Sequence, residues 1–151
     1  MKSRKFLSVL AIPLLFSCGG DMRDWPYVNL EFNVEEAKTV FVDYVNRKDR
    51  SLSFRCYSSQ TDAIVAISDF IESFHIEKNV TSKDVSDYNM KIAVYFVCDD
   101  QSVYDFKAYS YNGASNYFMY NDELRKFPAD FEGTFLAYIE RHSSSFTFFS
   151  E

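Results

Sequence analysis

The sequence has few of the residues from which enzymes build their common sites. It contains only four glycines, too few and too scattered for a P-loop, a dinucleotide-binding fingerprint or a nucleophile elbow. Its two histidines, His75 and His142, each fall near the C-terminal end of a predicted helix, where a histidine interacts favourably with the helix dipole. No Cys/His spacing matches a zinc site. The sequence therefore predicts no catalytic residues, no cofactor and no metal ion.

Long hydrophobic runs are also missing. The apolar segment 6–16 is too short for a membrane span, which needs about 20 residues, and the run 92–98 has the length of a strand. Three basic residues, Lys2, Arg4 and Lys5, precede the first segment, and small residues follow it. A basic start, a short apolar stretch and small residues are the layout of a secretory signal.

The end of this signal carries a short motif, Leu15-Phe16-Ser17-Cys18. It resembles the lipobox of bacterial lipoprotein precursors, in which Leu15, Ser17 and Cys18 match the required positions. The resemblance implies cleavage before Cys18, a lipid on that cysteine and attachment to a membrane. Because Gly19 replaces the aspartate associated with inner-membrane retention, the resemblance implies the outer membrane, on its periplasmic or its outer surface. A conventional secretory signal with another cleavage point is the alternative.

The remaining cysteines, Cys56 and Cys98, form an even pair in an exported domain, where a disulfide persists. Both fall on apolar faces of predicted strands. Two interpretations stay open at this point: a disulfide between them, or two buried thiols that pack as small hydrophobic groups.

Basic residues are outnumbered, with 16 Lys and Arg against 22 Asp and Glu. The signal contains three of the basic residues and no acidic one, so residues 18–151 have 13 basic and 22 acidic residues, a formal charge of −9. This balance argues against nucleic acid or anionic lipid headgroups as partners. Aromatic residues make up 19% of the chain, far more than a disordered chain contains, which indicates a folded domain. We expect a signal peptide at 1–17, a tether at 18–26 and one domain at 27–151.

The pattern of apolar residues predicts an α+β domain. It has an antiparallel or mixed β-sheet built on a three-stranded meander, with about three helices packed on it. Strands are predicted over 27–32 and 52–57 from their alternation. Helices are predicted from Asn33 to about Lys48, from Thr61 to about Phe74, and from Pro128 to about His142. Residues 122–127 are predicted to be a turn or a helical start, and residues 143–151 a last strand or an aromatic tail.

The meander over residues 90–120 is the strongest signal. Keeping apolar residues on one face requires an odd loop around residues 99–101, which pairs Phe96 with Tyr104 or Phe106. A type I′ turn at Asn112-Gly113 pairs Phe106 with Met119. It also pairs Ala108 with Tyr117.

The same register predicts an interaction surface on the non-core face of the meander, where tyrosines suit stacking on sugars or contact with a protein. Its residues are Lys91, Tyr95, Lys107, Tyr109, Tyr111, Phe118 and Tyr120. The alternative is that these rings form ordinary cross-strand pairs or are covered by the C-terminal segment.

Three functions are compatible with the sequence. The first is a lipid-anchored, non-enzymatic binding or accessory module with a protein or glycan partner. The second is an immunity or inhibitor protein that blocks a toxin or an envelope enzyme. The third is an envelope hydrolase that uses carboxylates such as Asp99, Asp100 and Asp105, although adjacent aspartates in a hairpin loop have a simpler explanation as turn-forming residues.

Overall fold

The fold was analysed in a computed structural model, which describes residues 25–77, 80–81, 85–111, 116–120, 122–127 and 130–150. The signal segment, Cys18, the Asn112-Gly113 turn and Pro128 lie outside these residues. The described residues form an antiparallel sheet of eight strands together with two α-helices. The predicted α+β class is confirmed, and the predicted number of about three helices is wrong.

The strands follow the order β3-β7-β6-β5-β4-β1-β2-β8 across the sheet. Both edge strands contain only two residues, and short edges of this kind limit edge-to-edge aggregation. The bounds are β1 Ala37–Asn46, β2 Phe54–Ser58, β3 Val80–Thr81, β4 Met90–Cys98, β5 Val103–Ser110, β6 Asn116–Tyr120, β7 Glu123–Lys126 and β8 Thr147–Phe148.

Strand β1 replaces the predicted first helix. The predicted cap exists, because Asn33 Oδ1 accepts a hydrogen bond from the Glu35 N–H at 3.2 Å, but it starts only a 3₁₀ turn over Val34–Glu36. Beyond this turn the chain is extended and pairs with β2 on one side and β4 on the other. Its β-branched and aromatic residues favour a strand. A central position between two strands therefore overrides the helical spacing of its apolar residues.

The predicted strand over 27–32 is also wrong. Tyr27 forms a single bridge with His75, and the segment lies across the C-terminal end of α1 (Thr61–Glu72). The Val28 N–H donates to the carbonyl of Phe74 at 2.9 Å. The Ile76 N–H donates to the carbonyl of Pro26, so contact with the domain begins before the predicted boundary at residue 27. The alternation in this segment reflects burial against the core without strand pairing.

Both helices, α1 and α2 (Phe131–Arg141), pack on one face of the sheet. The apolar stripe of α1, formed by Ile64, Ile67 and Ile71, is buried. The helix meets α2 where the ring of Phe70 stacks on that of Tyr138 at 4.3 Å. The rings of Phe131 in α2 and Phe106 in β5 are 5.8 Å apart. These contacts join helices and sheet into one core. Its largest fully buried side chains include Phe96, Phe106, Phe127, Phe131, Phe135, Ile64, Ile67 and Ile71.

The β4–β5 register is confirmed. Phe96 pairs with Tyr104, and residues 99–101 form the three-residue loop between Cys98 and Ser102. All the residues predicted for the core face of β4 are buried. Large apolar residues at alternate positions of both strands make this register predictable, because a shift by one residue would turn Phe106 away from the face that buries Phe96.

The β5–β6 register differs from the prediction by one residue. Ala108 pairs with Phe118, and Lys107 pairs with Met119, so the predicted pairs Phe106–Met119 and Ala108–Tyr117 are wrong. The shift turns Phe118 into the core, where its ring stacks on Phe106 at 4.5 Å. The free energy gained by burying this ring outweighs the preference of Asn-Gly for a type I′ turn. Burial of Phe118 therefore determines the register.

The remaining segments extend the sheet at both edges. Residues predicted as a turn or helical start form β7, which pairs with β6, because Leu124 is buried against the sheet. The polar connection after α1 contains β3, which pairs with β7. At the C terminus the last-strand alternative is confirmed, since Thr147 pairs with Tyr57 in β2.

The two cysteines are free and buried, which decides between the two interpretations of this pair. Cys56 lies in β2 beside Val42 in the middle of β1, and Cys98 lies in β4 beside Ala37 at the start of β1. Two strand spacings alone amount to about 10 Å, whereas disulfides join Cα atoms that are less than about 7 Å apart. Burial raises the pKa of the Cys56 thiol to about 12.

Candidate functional site

The candidate site is the face of the sheet opposite the helices, called the open face below. It carries the odd-numbered side chains of β1 from Thr39 onwards, of β2, β4, β5 and β6, and the even-numbered side chains of β7. Among the described residues no helix packs against this face. Its exposed and half-buried side chains on β1, β2 and β4 are therefore the part of the sheet that is available for contact with another molecule.

Strand pairing arranges the open face in rows that cross the sheet. One row contains Tyr57, Phe41, Tyr95 and Asp105 on β2, β1, β4 and β5. The next row contains Arg55, Asp43, Ala93, Lys107, Met119 and Leu124. A row with three aromatic residues thus lies beside a row with three charged residues. The rows are about 7 Å apart, because their residues are two positions apart along each strand.

Four rings form an aromatic platform, defined as Phe41, Tyr57, Tyr95 and Phe149. The rings of Phe41 and Tyr57 are 5.8 Å apart, and those of Tyr57 and Phe149 are 5.4 Å apart. The Phe149 N–H donates to the carbonyl of Arg55 at 3.0 Å, which fixes the chain just after β8. Phe149 is 50% exposed, and the other three rings are half-buried. The platform keeps substantial aromatic surface in water.

An ion pair lies next to the platform. The guanidinium of Arg55 donates to both carboxylate oxygens of Asp43, from Nε at 2.9 Å and from Nη2 at 3.0 Å. This bidentate geometry raises the pKa of Arg55 through its hydrogen bonds to Asp43 and the charge of that carboxylate. Together with Phe41, Tyr95 and Phe149, the pair lines a shallow depression of about 370 Å³.

At the other end of the open face, tyrosines form a small second core. The buried members are Tyr109, Tyr111, Tyr117 and Leu124, and Tyr88 and Met119 pack against them. The guanidinium of Arg47 lies 3.8 Å from the centre of the Tyr88 ring, in cation–π geometry. Desolvation raises the pKa of Tyr109. This tyrosine cluster stabilises the end of the sheet and offers little accessible surface.

The predicted interaction surface is divided by the observed register. Tyr95 and Lys107 lie on the open face and are half-buried. Tyr109 and Tyr111 are buried in the tyrosine cluster, and Phe118 is buried in the main core. Placing Phe118 on the binding surface was wrong because the β5–β6 register is shifted by one residue. The side chain of Tyr120 lies outside the described residues.

The sequence prediction missed five residues of the site: Phe41, Asp43, Arg55, Tyr57 and Phe149. Phe41 and Asp43 lie in β1, which the sequence pattern indicated as a helix. The available signal was the alternation of Phe41 and Asp43 with the buried Val40 and Val42. No local pattern indicates that Phe149 reaches the same depression, because this depends on β8 pairing with β2.

The carboxylates considered for hydrolysis do not converge. Asp99 and Asp100 lie in the β4–β5 turn at the end of the sheet, whereas Asp105 lies on the open face within β5. Asp100 accepts hydrogen bonds from the N–H and hydroxyl of Ser102, which lower its pKa. Asp99 pairs with Lys38 at 3.5 Å, and Asp105 pairs with Lys107. Each carboxylate thus has a local structural partner.

The histidines lie at the C-terminal ends of the helices. His142 is the C-cap of α2, and its ring lies 4.6 Å from that of Tyr138. His75 follows α1, and its Nδ1 is 2.7 Å from the carbonyl oxygen of Trp25. Both residues therefore have a structural role. His75 holds the N-terminal segment, and His142 ends α2.

Within the described residues, no group of three or more His, Cys, Asp or Glu side chains has the arrangement of a metal site. No helix in the described part of the chain is long and apolar enough to cross a membrane. Comparisons of the whole chain with protein-family models, curated proteins and solved structures found no match.

Proposed function

We propose that this protein is an envelope lipoprotein, anchored to the outer membrane through a lipid on Cys18, whose domain binds a partner through the open face. The anchor rests on the three basic residues, the short apolar segment and the Leu-Phe-Ser-Cys motif. The binding role rests on the structure of the open face. The partner is a protein or a glycan, and the domain itself performs no catalysis.

The observation that carries the binding role is the aromatic platform beside the Arg55–Asp43 pair. Aromatic side chains and arginine are the residue types enriched where proteins contact partners. A ring that stays half in water loses hydrophobic stabilisation that burial would supply, at roughly 25 cal/mol per Å². A partner that covers the platform recovers this stabilisation, and the ion pair supplies directional hydrogen bonds.

The absence of catalysis is supported by the separation of the three aspartates. General acid–base catalysis needs titratable groups that reach the same reacting atoms. Asp99 and Asp100 lie at the end of the sheet, Asp105 lies on its open face, and each has a local partner. These positions support a binding role more than hydrolysis.

The anchor is tested by replacing the lipidated residue. We expect wild-type protein to incorporate a fatty-acid label and to fractionate with membranes, and Cys18→Ala protein to do neither. Membrane association that is unchanged in the Cys18→Ala variant would contradict the lipoprotein proposal.

The binding face is tested by photo-crosslinking in the cells that make the protein. A benzophenone amino acid replaces Phe149 on the platform or, as a control, Ala137, which is exposed on α2. We expect a defined adduct from position 149 and none of the same size from position 137. Adducts that are identical from both positions, or missing from position 149, would contradict the proposal.

A further inference from the structure

We infer that the depression beside the Arg55–Asp43 pair is a binding site for an uncharged saccharide, one or two sugar rings of a glycan chain. This inference rests on the proposed function, because it names the ligand class of the open face. The depression is about 370 Å³, at the low end of the range of small-molecule sites. It is open to solvent along the sheet, which allows a longer chain to continue beyond it.

Rings form the apolar walls of the site. Phe149 is held by its backbone hydrogen bond to Arg55 and by contact with the Tyr57 ring, 5.4 Å away. Phe41 and Tyr95 are direct cross-strand neighbours and line the same depression. The C–H groups on one face of a sugar ring form an apolar surface that packs against an aromatic ring. Because strand pairing fixes the rings before binding, little side-chain entropy is lost when a sugar contacts them.

The ion pair supplies the polar contacts. Arg55 has five N–H donors, and two of them are used by Asp43, so donors remain for a ligand. The carboxylate oxygens of Asp43 each have a further acceptor position. Arg55 is 61% exposed and Asp43 24%, so both are accessible from solvent. Each hydroxyl group of a sugar both donates and accepts hydrogen bonds. Adjacent sugar hydroxyls can therefore accept from Arg55 and donate to Asp43.

The charges favour an uncharged ligand. Asp43 neutralises Arg55, and Asp105 neutralises Lys107, so the two ion pairs add no net charge to the surroundings of Tyr95. An anionic ligand bound to the remaining Arg55 donors would lie close to the negatively charged Asp43 carboxylate, and like charges repel. A hydroxyl-rich neutral ligand adds hydrogen bonds and leaves the pair intact.

The test measures binding of the full-length protein in detergent to five named probes. These are dextran, mannan, laminarin, xylan and chitin oligosaccharides, and polygalacturonate serves as the anionic comparison. We expect at least one neutral probe to bind and polygalacturonate to bind more weakly. Failure of all five neutral probes, or a preference for polygalacturonate, would overturn the inference.

A matched pair of variants locates the binding. Phe149→Ala removes a wall of the depression, whereas Phe148→Ala removes a ring of similar exposure, 44%, that faces the opposite side of the sheet. We expect Phe149→Ala to weaken binding roughly tenfold, from the lost ring contact, and Phe148→Ala to change it less than twofold. Equal effects of the two variants would overturn the inference.

A third variant is needed because Phe149→Ala could weaken binding by unfolding the C-terminal segment. Asp43→Asn keeps the shape of the site and removes one charge of the pair, and we expect it to weaken binding while the thermal midpoint of the protein changes little. Unchanged saccharide binding in this variant would overturn the role of the ion pair. If position 149 crosslinks to a protein and none of the neutral probes binds, the open face remains a binding surface and only the saccharide inference fails.

Discussion

The position of Phe118 gives the sharpest test of the fold, because a shift of one residue in the β5–β6 register exchanges it with Met119. Phe118 is 3% exposed, and its ring lies 4.5 Å from Phe106 and 5.2 Å from Phe127. Met119 is half-buried against the tyrosine cluster on the opposite side of the sheet. The two single alanine variants therefore report directly on which residue faces the core.

The expected magnitudes differ by several-fold. Replacing a buried Phe by Ala typically costs about 3 to 5 kcal/mol, from lost burial and the cavity that remains. We expect Phe118→Ala to lower the free energy of unfolding by about 4 kcal/mol, since stacking with Phe106 is lost as well. We expect Met119→Ala to cost about 1 kcal/mol, because the side chain is only half-buried.

Urea unfolding followed by circular dichroism measures both free energies. The slope of the transition is a control, since a changed slope would indicate an altered denatured state or an intermediate. If Met119→Ala is the more destabilising variant, the Asn-Gly register is correct and the arrangement of the open face over β6 must be revised. A loss below about 1 kcal/mol for Phe118→Ala would refute the packing argument.

Two further predictions concern buried titratable groups. We expect two reactive thiols, Cys56 and Cys98, when a form lacking the signal and Cys18 is unfolded without reductant; a count of none would show a disulfide. The Tyr44 hydroxyl donates to Glu132 at 2.7 Å, and burial together with this bond raises the pKa of Tyr44 to about 12. Since the folded pKa exceeds the ordinary value near 10, this contribution is complete below pH 10 and is lost as pH rises towards 12. We expect wild-type to lose roughly 2 kcal/mol more stability than Tyr44→Phe over this interval, and parallel pH profiles would contradict this.

The β4–β5 hairpin shows what the sequence could establish. Burial of Phe96 and Phe106 on the same face allows only loops with an odd number of residues, and the shorter one is observed. The stripe of α1 was predictable for the same reason, because helical spacing and burial agree. Local pattern and tertiary packing indicate the same structure in both elements.

Strand β1 shows where local pattern fails. Val40, Phe41, Tyr44 and Val45 fit a helical stripe, and Val40 and Tyr44 equally fit one face of a strand with Val42. Only pairing with β2 and β4 decides between the two, and this pairing is not encoded locally. The error extended to the site, because a helical assignment separates Phe41 and Asp43 from the sheet.

The depression itself depends on contacts that are distant in the sequence. Arg55 and Phe149 are joined by a backbone hydrogen bond between β2 and the C-terminal segment. Neither residue belongs to a recognisable motif, and the aromatic tail was compatible with a strand or an irregular end. The candidate site therefore becomes visible only when the order of strands in the sheet is established.

The central claim is that a partner covers the open face in the envelope, and radical footprinting of aromatic side chains tests it most directly. The modification of each ring is compared between the protein in intact cells and the purified protein. We predict that Tyr95 and Phe149 are protected in cells, whereas Phe148 and Tyr104, which lie on the other face of the sheet, are modified equally in both samples. Equal modification of Tyr95 and Phe149 in cells and in solution would contradict the claim.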